Sequence, residues 1–349
     1  MLVGIHRDPD QEFNTVLRRY EMVLDYNGIK HVRLSVDDPG FWGQVRNISL
    51  FVYIWRHDDR SRHPALAILP VIEHELGIPV YPNSRTCWHY DDKIRQWYLL
   101  KSRGFPMIQS WVFWGRDQAL AWAKTADLPV VFKLKGGAGS TNVLKLDSRS
   151  EVNKIINRMF GPGVPPEGLP KSLNKSKWEK LLRFCAVQKR RWQGEALPYT
   201  MHGSSWAIHR NYVYFQKFLP GNDCDTRITV IGKRAFGFRR MNRAGDFRAS
   251  GSGLIDYDIG KIDSKCIEIA FDISRKMGFQ SMAYDFLEAP EGNWQIAEIS
   301  YLYLDTAIWQ CPGYWDENLR WVKGHYWPQY CQLVDVLGMP GLKQPEILP

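Results

Sequence analysis

The segment Met282 to Ser300, MAYDFLEAPEGNWQIAEIS, constrains what this chain can fold into more than any other stretch, because two alternating runs around a turn predict a β-hairpin. With Glu291 and Gly292 as the turn residues, Asp285 and Glu298 fall directly opposite each other on one face. Opposed side chains have Cβ atoms about 5 Å apart. Two carboxylates that close repel, so either one gains a proton or a cation stands between them, and oxygen donors of this kind suit Mg²⁺. Ser300 shares their face. A surface hairpin with solvated acids satisfies the same pattern, so the rest of the chain has to decide.

The first eighty or so residues alternate short apolar runs with amphipathic stretches: LVGI, FNTVLRRYEMVLDYNG, HVRLSV, a short helix, LFVYIW, HPALAILPVIEHELG and IPVYP. This βαβ rhythm predicts a parallel sheet. Ligands of such sheets collect beyond the carboxyl ends of the strands, where WRHDDRSRH brings His57 and Arg60 as candidate substrate contacts, or as an ordinary charged loop. A second α+β unit begins near residue 90 with the helix KIRQWYLLKSRGFP, a strand, the helix DQALAWAKTAD and LPVVFKLKGGAGSTNVLKLD. Residues 161–211 open with GPGVPPEGLP and continue as a basic segment expected to be helical, either a solvated insertion or a clamp on an anionic acceptor. Strands resume with YVYFQKFL, RITVIG and KRAFGFRRM, followed by a helix over Ser264 to Met277 and the hairpin. The expected division is 1–88, 89–211 and 212–349.

A chain of 349 residues, 44% hydrophobic and 13% aromatic, can bury the cores of two or three domains. No apolar run approaches the ~20 residues of a membrane-spanning helix, and MLVGIHRDPD has acids where a signal peptide is apolar, so a cytoplasmic location is expected. Six scattered cysteines lack any CxxC or Cys/His spacing, which predicts buried thiols rather than disulfides or zinc. A net charge of +9 favours an anionic ligand, and its spread along the chain without a recognition motif argues against nucleic acid. The 15 tryptophans, dense from Trp309 onward, suit the packing of a closing helix, or an aromatic platform for a sugar or lipid-linked acceptor.

In VVFKLKGGAGSTNV a lysine ends an apolar strand and a loop of small residues follows, a pattern that lets backbone N–H groups cradle phosphate while Lys133 supplies charge. Such hairpin loops also occur without ligands. Taking Gly232 and Lys233 as the next turn sets Arg227 opposite Phe238, with Arg240 a diagonal neighbour on the same face and Arg239 pointing away. Arg248 follows in GDFR.

Lys93 in DDKIRQWYLL, Lys133 in VVFKLKGG, QKFL, DTR, GDFRASGSG, YDFLE and AEIS stand in an order that resembles the ATP-grasp superfamily, particularly its carboxylate-amine ligases. GDFR and DTR are similar to the ribosomal-protein glutamate ligases, QKFL to the D-alanine:D-alanine ligases. The resemblance implies an α/β fold in which a Rossmann-like N-terminal domain precedes two α+β subdomains that clasp ATP. Lys93 and Lys133 would contact phosphates, covered by the 136–141 loop with Gly137 and Ser140. The connector from Gln216 to Leu219 would hold adenine through backbone groups of Lys217 and Leu219, and Asp223 would bind ribose. Arg227, Arg240 and Arg248 would meet the γ-phosphate and a substrate carboxylate, with Mg²⁺ on Asp285, Glu298 and Ser300. The implied reaction joins a small-molecule acid, speculatively a glycan precursor, to an amine through an acylphosphate; a homo-oligomer is compatible. A small-molecule kinase and a non-catalytic ATP- or anion-binding module are the alternatives. Two departures stand out: Ser300 and Tyr-Leu-Tyr replace the family's Asn followed by Pro-Gly, and Asn142 stands where the loop often has glycine, in a turn that asparagine can keep through its tolerance of positive φ.

Overall fold

A computed structural model describes residues 1–7, 14–56, 59–137, 142–164, 208–243, 245–249 and 252–346, the side chains of 14, 59 and 60 apart. The first unit is the expected parallel sheet: β1 (Leu2–His6), β2 (Lys30–Leu34), β3 (Leu50–Val52) and β4 (Val80–Tyr81) in the order β2-β1-β3-β4. Helices α1 (Asn14–Tyr26), α2 (Phe41–Val45) and α3 (Asp59–Pro70) make its crossovers, and both faces of β1 and β3 are buried, as the near-continuous apolar runs require.

After a short helix, α4 (Ser84–Cys87), helix α5 (Lys93–Ser102) starts at an Asp92 cap whose carboxylate accepts the backbone N–H of Arg95. The second sheet comprises β5 (Ser110–Phe113), β6 (Val130–Lys133), β7 (Val143–Leu146) and β8 (Val213–Lys217), in the order β5-β8-β6-β7. Helices α6 (Arg116–Ala123) and α7 (Arg149–Met159) cover it. A capping box of Ser148 and Glu151 starts α7. Of the basic insertion only its ends are described, and they meet: Val164 and His209 exchange two backbone hydrogen bonds of 2.9 Å. The expected basic helix lies outside the described residues.

The third sheet holds β9 (Cys224–Ile231), β10 (Arg234–Met241), β11 (Ile255–Asp256), β12 (Ser281–Glu288), β13 (Trp294–Ser300), β14 (Gly313–Asp316) and β15 (Trp321–Lys323). Its order is β13-β12-β9-β10-β14-β15, with β11 paired to β10. Helix α8 (Ser264–Met277) covers one face and ends where Gly278 takes φ 67°, the left-handed cap that glycine adopts without a Cβ penalty. The hairpin pairs Asp285 with Glu298 as expected, by a different route: the turn centres on Pro290 and Glu291, and a β-bulge at Ala297 restores the offset.

Three ties join these units. Residues 106–108 bond to Ile296 on β13 through Ile296 N to Pro106 O (2.7 Å) and Ile108 N to Ile296 O (3.1 Å). Tyr301, just past β13, places its buried hydroxyl between the backbone N–H and carbonyl of Trp55 at the end of the first sheet. The closing helix, α10 (Pro328–Val336), preceded by α9 (Asp305–Trp309), packs on α1, so Trp327, Leu333 and Leu342 share the first sheet's core. Trp327 stacks on Trp309 at 4.7 Å with the Arg19 guanidinium over its ring, and Arg19 pairs with Asp305. These tryptophans are packing residues. Among the described residues five cysteines are free, four buried and Cys224 half-buried, and no helix is long and apolar enough to cross a membrane. Cys185 lies outside them.

Tyr301→Phe removes a hydroxyl that satisfies two buried backbone groups, and leaving such groups bare costs about 1–3 kcal/mol. Urea unfolding of that variant should show the loss as a lower midpoint with an unchanged slope.

Candidate functional site

Between the second and third sheets lies a cavity of about 290 Å³. One end is an apolar slot lined by Val131 and Val143 of the second sheet and by Leu287 and Ala297 of the hairpin, with Leu219 at the edge. The connector from Gln216 to Leu219 runs along that edge. The Gln216 side chain is buried, and its amide donates to Ser110 Oγ (3.3 Å) and Tyr214 OH (3.2 Å), which immobilises it under the connector. Lys217 and Leu219 also border the cavity; the Lys217 side chain is exposed, so only its backbone is placed for recognition. An apolar slot edged by backbone suits a planar heterocycle.

The other end is polar. Lys93, the first residue of α5, sends Nζ to Gly137 O (2.9 Å) and Glu298 Oε1 (3.1 Å). Gly137 has φ 111°, a conformation that side-chain-bearing residues rarely adopt, and a Cβ there would also have to displace the Asn142 amide, 2.3 Å away. Its N–H donates to Asp91 Oδ1 at 2.7 Å. Gly137 is the described residue of this loop with positive φ, and the Asn142 amide donates to Gly136 O at 3.3 Å. Lys133 ends β6, only 8% exposed, and its ammonium has no hydrogen bond or ion pair among the described residues.

The arginines converge from β9 and β10. Phe238 lies opposite Arg227 as expected, and Arg240 opposite Asp225. Arg227 grips Asp285 with Nε (2.7 Å) and a terminal nitrogen (2.9 Å), while Arg240 grips Asp225 at 2.7 and 2.6 Å and adds 2.7 Å to Asp285. Arg239 points away, to Asp256 at 2.6 Å. Arg248 borders the cavity and bonds both oxygens of Asp246, through Nε to Oδ1 at 2.9 Å and a terminal nitrogen to Oδ2 at 2.6 Å. Ser300 borders it too, but donates its hydroxyl to Leu302 O at 2.6 Å.

Asp223 does not join this group: it is exposed off the cavity wall, where Asn222 and Asn242 stand instead. Ser140 and His57 fall outside the described residues, as does the side chain of Arg60. Asp225 is the residue that reading the sequence missed. The turn arithmetic that paired Arg227 with Phe238 also pairs Asp225 with Arg240, and alternation puts Asp225 on the face of Arg227.

No protein-family model matches the sequence, and no curated protein matches it. Solved structures do match the fold. N5-carboxyaminoimidazole ribonucleotide synthetase from Thermotoga maritima is 11% identical at a TM-score of 0.57, over 99% of this chain and 78% of that one. The ligase PsnB, solved with a minimal precursor, is 13% identical at 0.54 over 96% and 98%. A RimK-domain ATP-grasp protein from Sphaerobacter thermophilus is 13% identical at 0.52 over 88% and 93%. The chain has the ATP-grasp fold.

Within this ATP-grasp chain, burial sets the charge states. Desolvation pushes the Lys133 ammonium down to about 8, with Glu298 working against that and the nearby Lys93 adding to it. Burial also acts on Lys93, but Glu298 and Asp91 outweigh it and hold that ammonium above its ordinary value. Desolvation would raise Asp285; Arg227 and Arg240 prevail and keep it well below the carboxylate range. A charge that the protein buries without a partner weakens the fold in exchange for a site.

Lys133→Met should therefore stabilise the chain, by about 3 kcal/mol at pH 7. Below pH 8 both folded and unfolded wild type carry the proton and the full penalty applies. Between pH 8 and 10.5 the folded form gives up its proton first, so wild-type stability rises and the advantage of the variant fades. Urea titrations of both proteins across that range measure it.

Proposed function

We propose that this chain is an ATP-dependent carboxylate-amine ligase. The observation that carries the reading is the convergence of two buried lysines and three arginines on one cavity whose far end is an apolar slot edged by a connector. A triphosphate nucleotide has this shape and charge: a flat base at one end, anions at the other. Two ligands of neighbouring structures with this fold support it, since purK was solved with ADP, and PsnB with a minimal precursor, Mg and ADP.

On this reading the slot between Val131 and Leu287 takes the base, with the backbone of Lys217 and Leu219 along its edge. Lys93 and Lys133 hold phosphate oxygens, and the loop at Gly137, pinned by Asp91, lets backbone approach them. A substrate carboxylate oxygen attacks the γ-phosphorus, the bond to the bridging oxygen breaks, and ADP leaves. An amine then attacks the acyl carbon, phosphate departs, and the amine's proton passes to solvent or a base. Arg227, Arg240 and Arg248 offset the repulsion between carboxylate and phosphate, electrostatic help that commonly contributes about 10²-fold or more in rate. The residues fit Mg²⁺ at Glu298, whose side chain is about one-third exposed to the cavity and meets Lys93 through one oxygen. A bound Mg²⁺ would supply charge neutralisation to the phosphates there. The acid and amine are proposed to be small molecules.

The test supplies ATP, Mg²⁺ and a panel of acids and amines, and follows ADP. ADP release that requires both an acid and an amine is the expected result; release driven by a hydroxyl compound instead would make the chain a small-molecule kinase. Glu298→Gln should lower turnover about 100-fold or more, whereas a non-catalytic ATP-binding module would show no turnover to lose.

A further inference from the structure

Resting on the ATP-ligase reading, we propose that the guanidinium groups of Arg227 and Arg240 serve as the cation at Asp285, so that the chain takes its nucleotide with one divalent ion, at Glu298, and not two. The hairpin sets two carboxylates face to face, and each has a cation, but of different kinds. Asp285 accepts three guanidinium hydrogen bonds of 2.7 to 2.9 Å that occupy both of its oxygens. A metal ion on either oxygen would stand beside a fixed positive charge already in contact with it.

Nor is Arg240 free to withdraw. Its other edge is locked to Asp225 by two bonds of 2.7 and 2.6 Å, its side chain is buried, and the β9–β10 ladder holds the two residues opposite each other. Moving the guanidinium away would break this pair and leave Asp225 buried and uncompensated. Ser300, the third residue on the face, turns its hydroxyl to Leu302 O. Among the described residues no group of three His, Cys, Asp or Glu side chains is arranged to hold a metal. Glu298 is different: only one of its oxygens is engaged, by the single Nζ of Lys93, and its side chain is about one-third exposed and borders the cavity.

The experiment counts ions directly. The purified chain is saturated with a nonhydrolysable imido analogue of ATP, confirmed by tryptophan fluorescence, and titrated with Mn²⁺ while free Mn²⁺ is followed by electron paramagnetic resonance. One tight Mn²⁺ per chain is expected; two, or the spectrum of a spin-coupled pair, overturns the proposal. Because Arg227 by itself bonds both Asp285 oxygens, the variant that tests the role removes both guanidiniums: Arg227→Met with Arg240→Met, checked for folding by circular dichroism, should raise the count to two, and a count that stays at one in the folded double variant overturns the role given to the guanidiniums. Asp285→Asn keeps the carbonyl oxygen and should leave the first ion's affinity within threefold; a tenfold loss would show Asp285 to be its ligand. An analogue that does not bind at all removes the ATP reading itself, and that failure is seen before any Mn²⁺ is added.

Discussion

Arg240 sits between two buried carboxylates, and the polar half of the cavity depends on it. Across three adjacent strands, Asp285 on β12 faces Arg227 on β9, Asp225 on β9 faces Arg240 on β10, and Arg240 reaches over to Asp285. A charge lattice of this kind adds little net stability, because desolvation offsets the attraction between its members. Breaking one member strands the rest, at a cost of about 3–5 kcal/mol. Its effect is therefore positional: each charge fixes the next, and the register of the ladder fixes them all. Lys93, Lys133 and Glu298 line the same cavity outside this lattice.

The cavity exists only because three sheets are tied at its margins. The bonds of Ile296 to residues 106–108 hold the second sheet against the hairpin, and Tyr301 holds the hairpin's exit to the first sheet through Trp55. Here Tyr301, Leu302 and Tyr303 find a structural use. Tyr301 is a domain tie, and Tyr303 bonds Ser281 at 2.6 Å and Gln332 at 3.0 Å, carrying the connection on to the closing helix. The aromatic tail serves the same end.

Much of this was legible because the hairpins obey simple alternation. Asp285 opposite Glu298 and Arg227 opposite Phe238 follow from turn positions alone, and the helix expected over Ser264 to Met277 has those bounds in the structure, where an Asp263 cap starts it and Gly278 ends it. The hairpin turn was placed one residue late, and the pairing survived because a bulge at Ala297 compensates, a feature that no residue type announces. Asp223 was expected at the cavity and is exposed, because the chain leaves the connector through Gly221 at φ 84° and presents Asn222 inward. Asp225 was passed over since a lone acid on a strand looks like any solvated one until its partner is counted.

What the sequence by itself determined is periodicity and order: which runs are strands, which residues share a face, and the succession of lysine, connector, arginine and carboxylate motifs. These depend on neighbours a few positions apart and on the geometry of turns. What only the tertiary structure decided is which charge meets which. Two carboxylates facing each other require a cation, and local sequence does not say whether it is a metal, a lysine or an arginine. That choice was made where β12, β9 and β10 meet. There the long side chains of Arg227 and Arg240 reach Asp285, while Glu298, on the outer strand, is left to Lys93 and the open cavity.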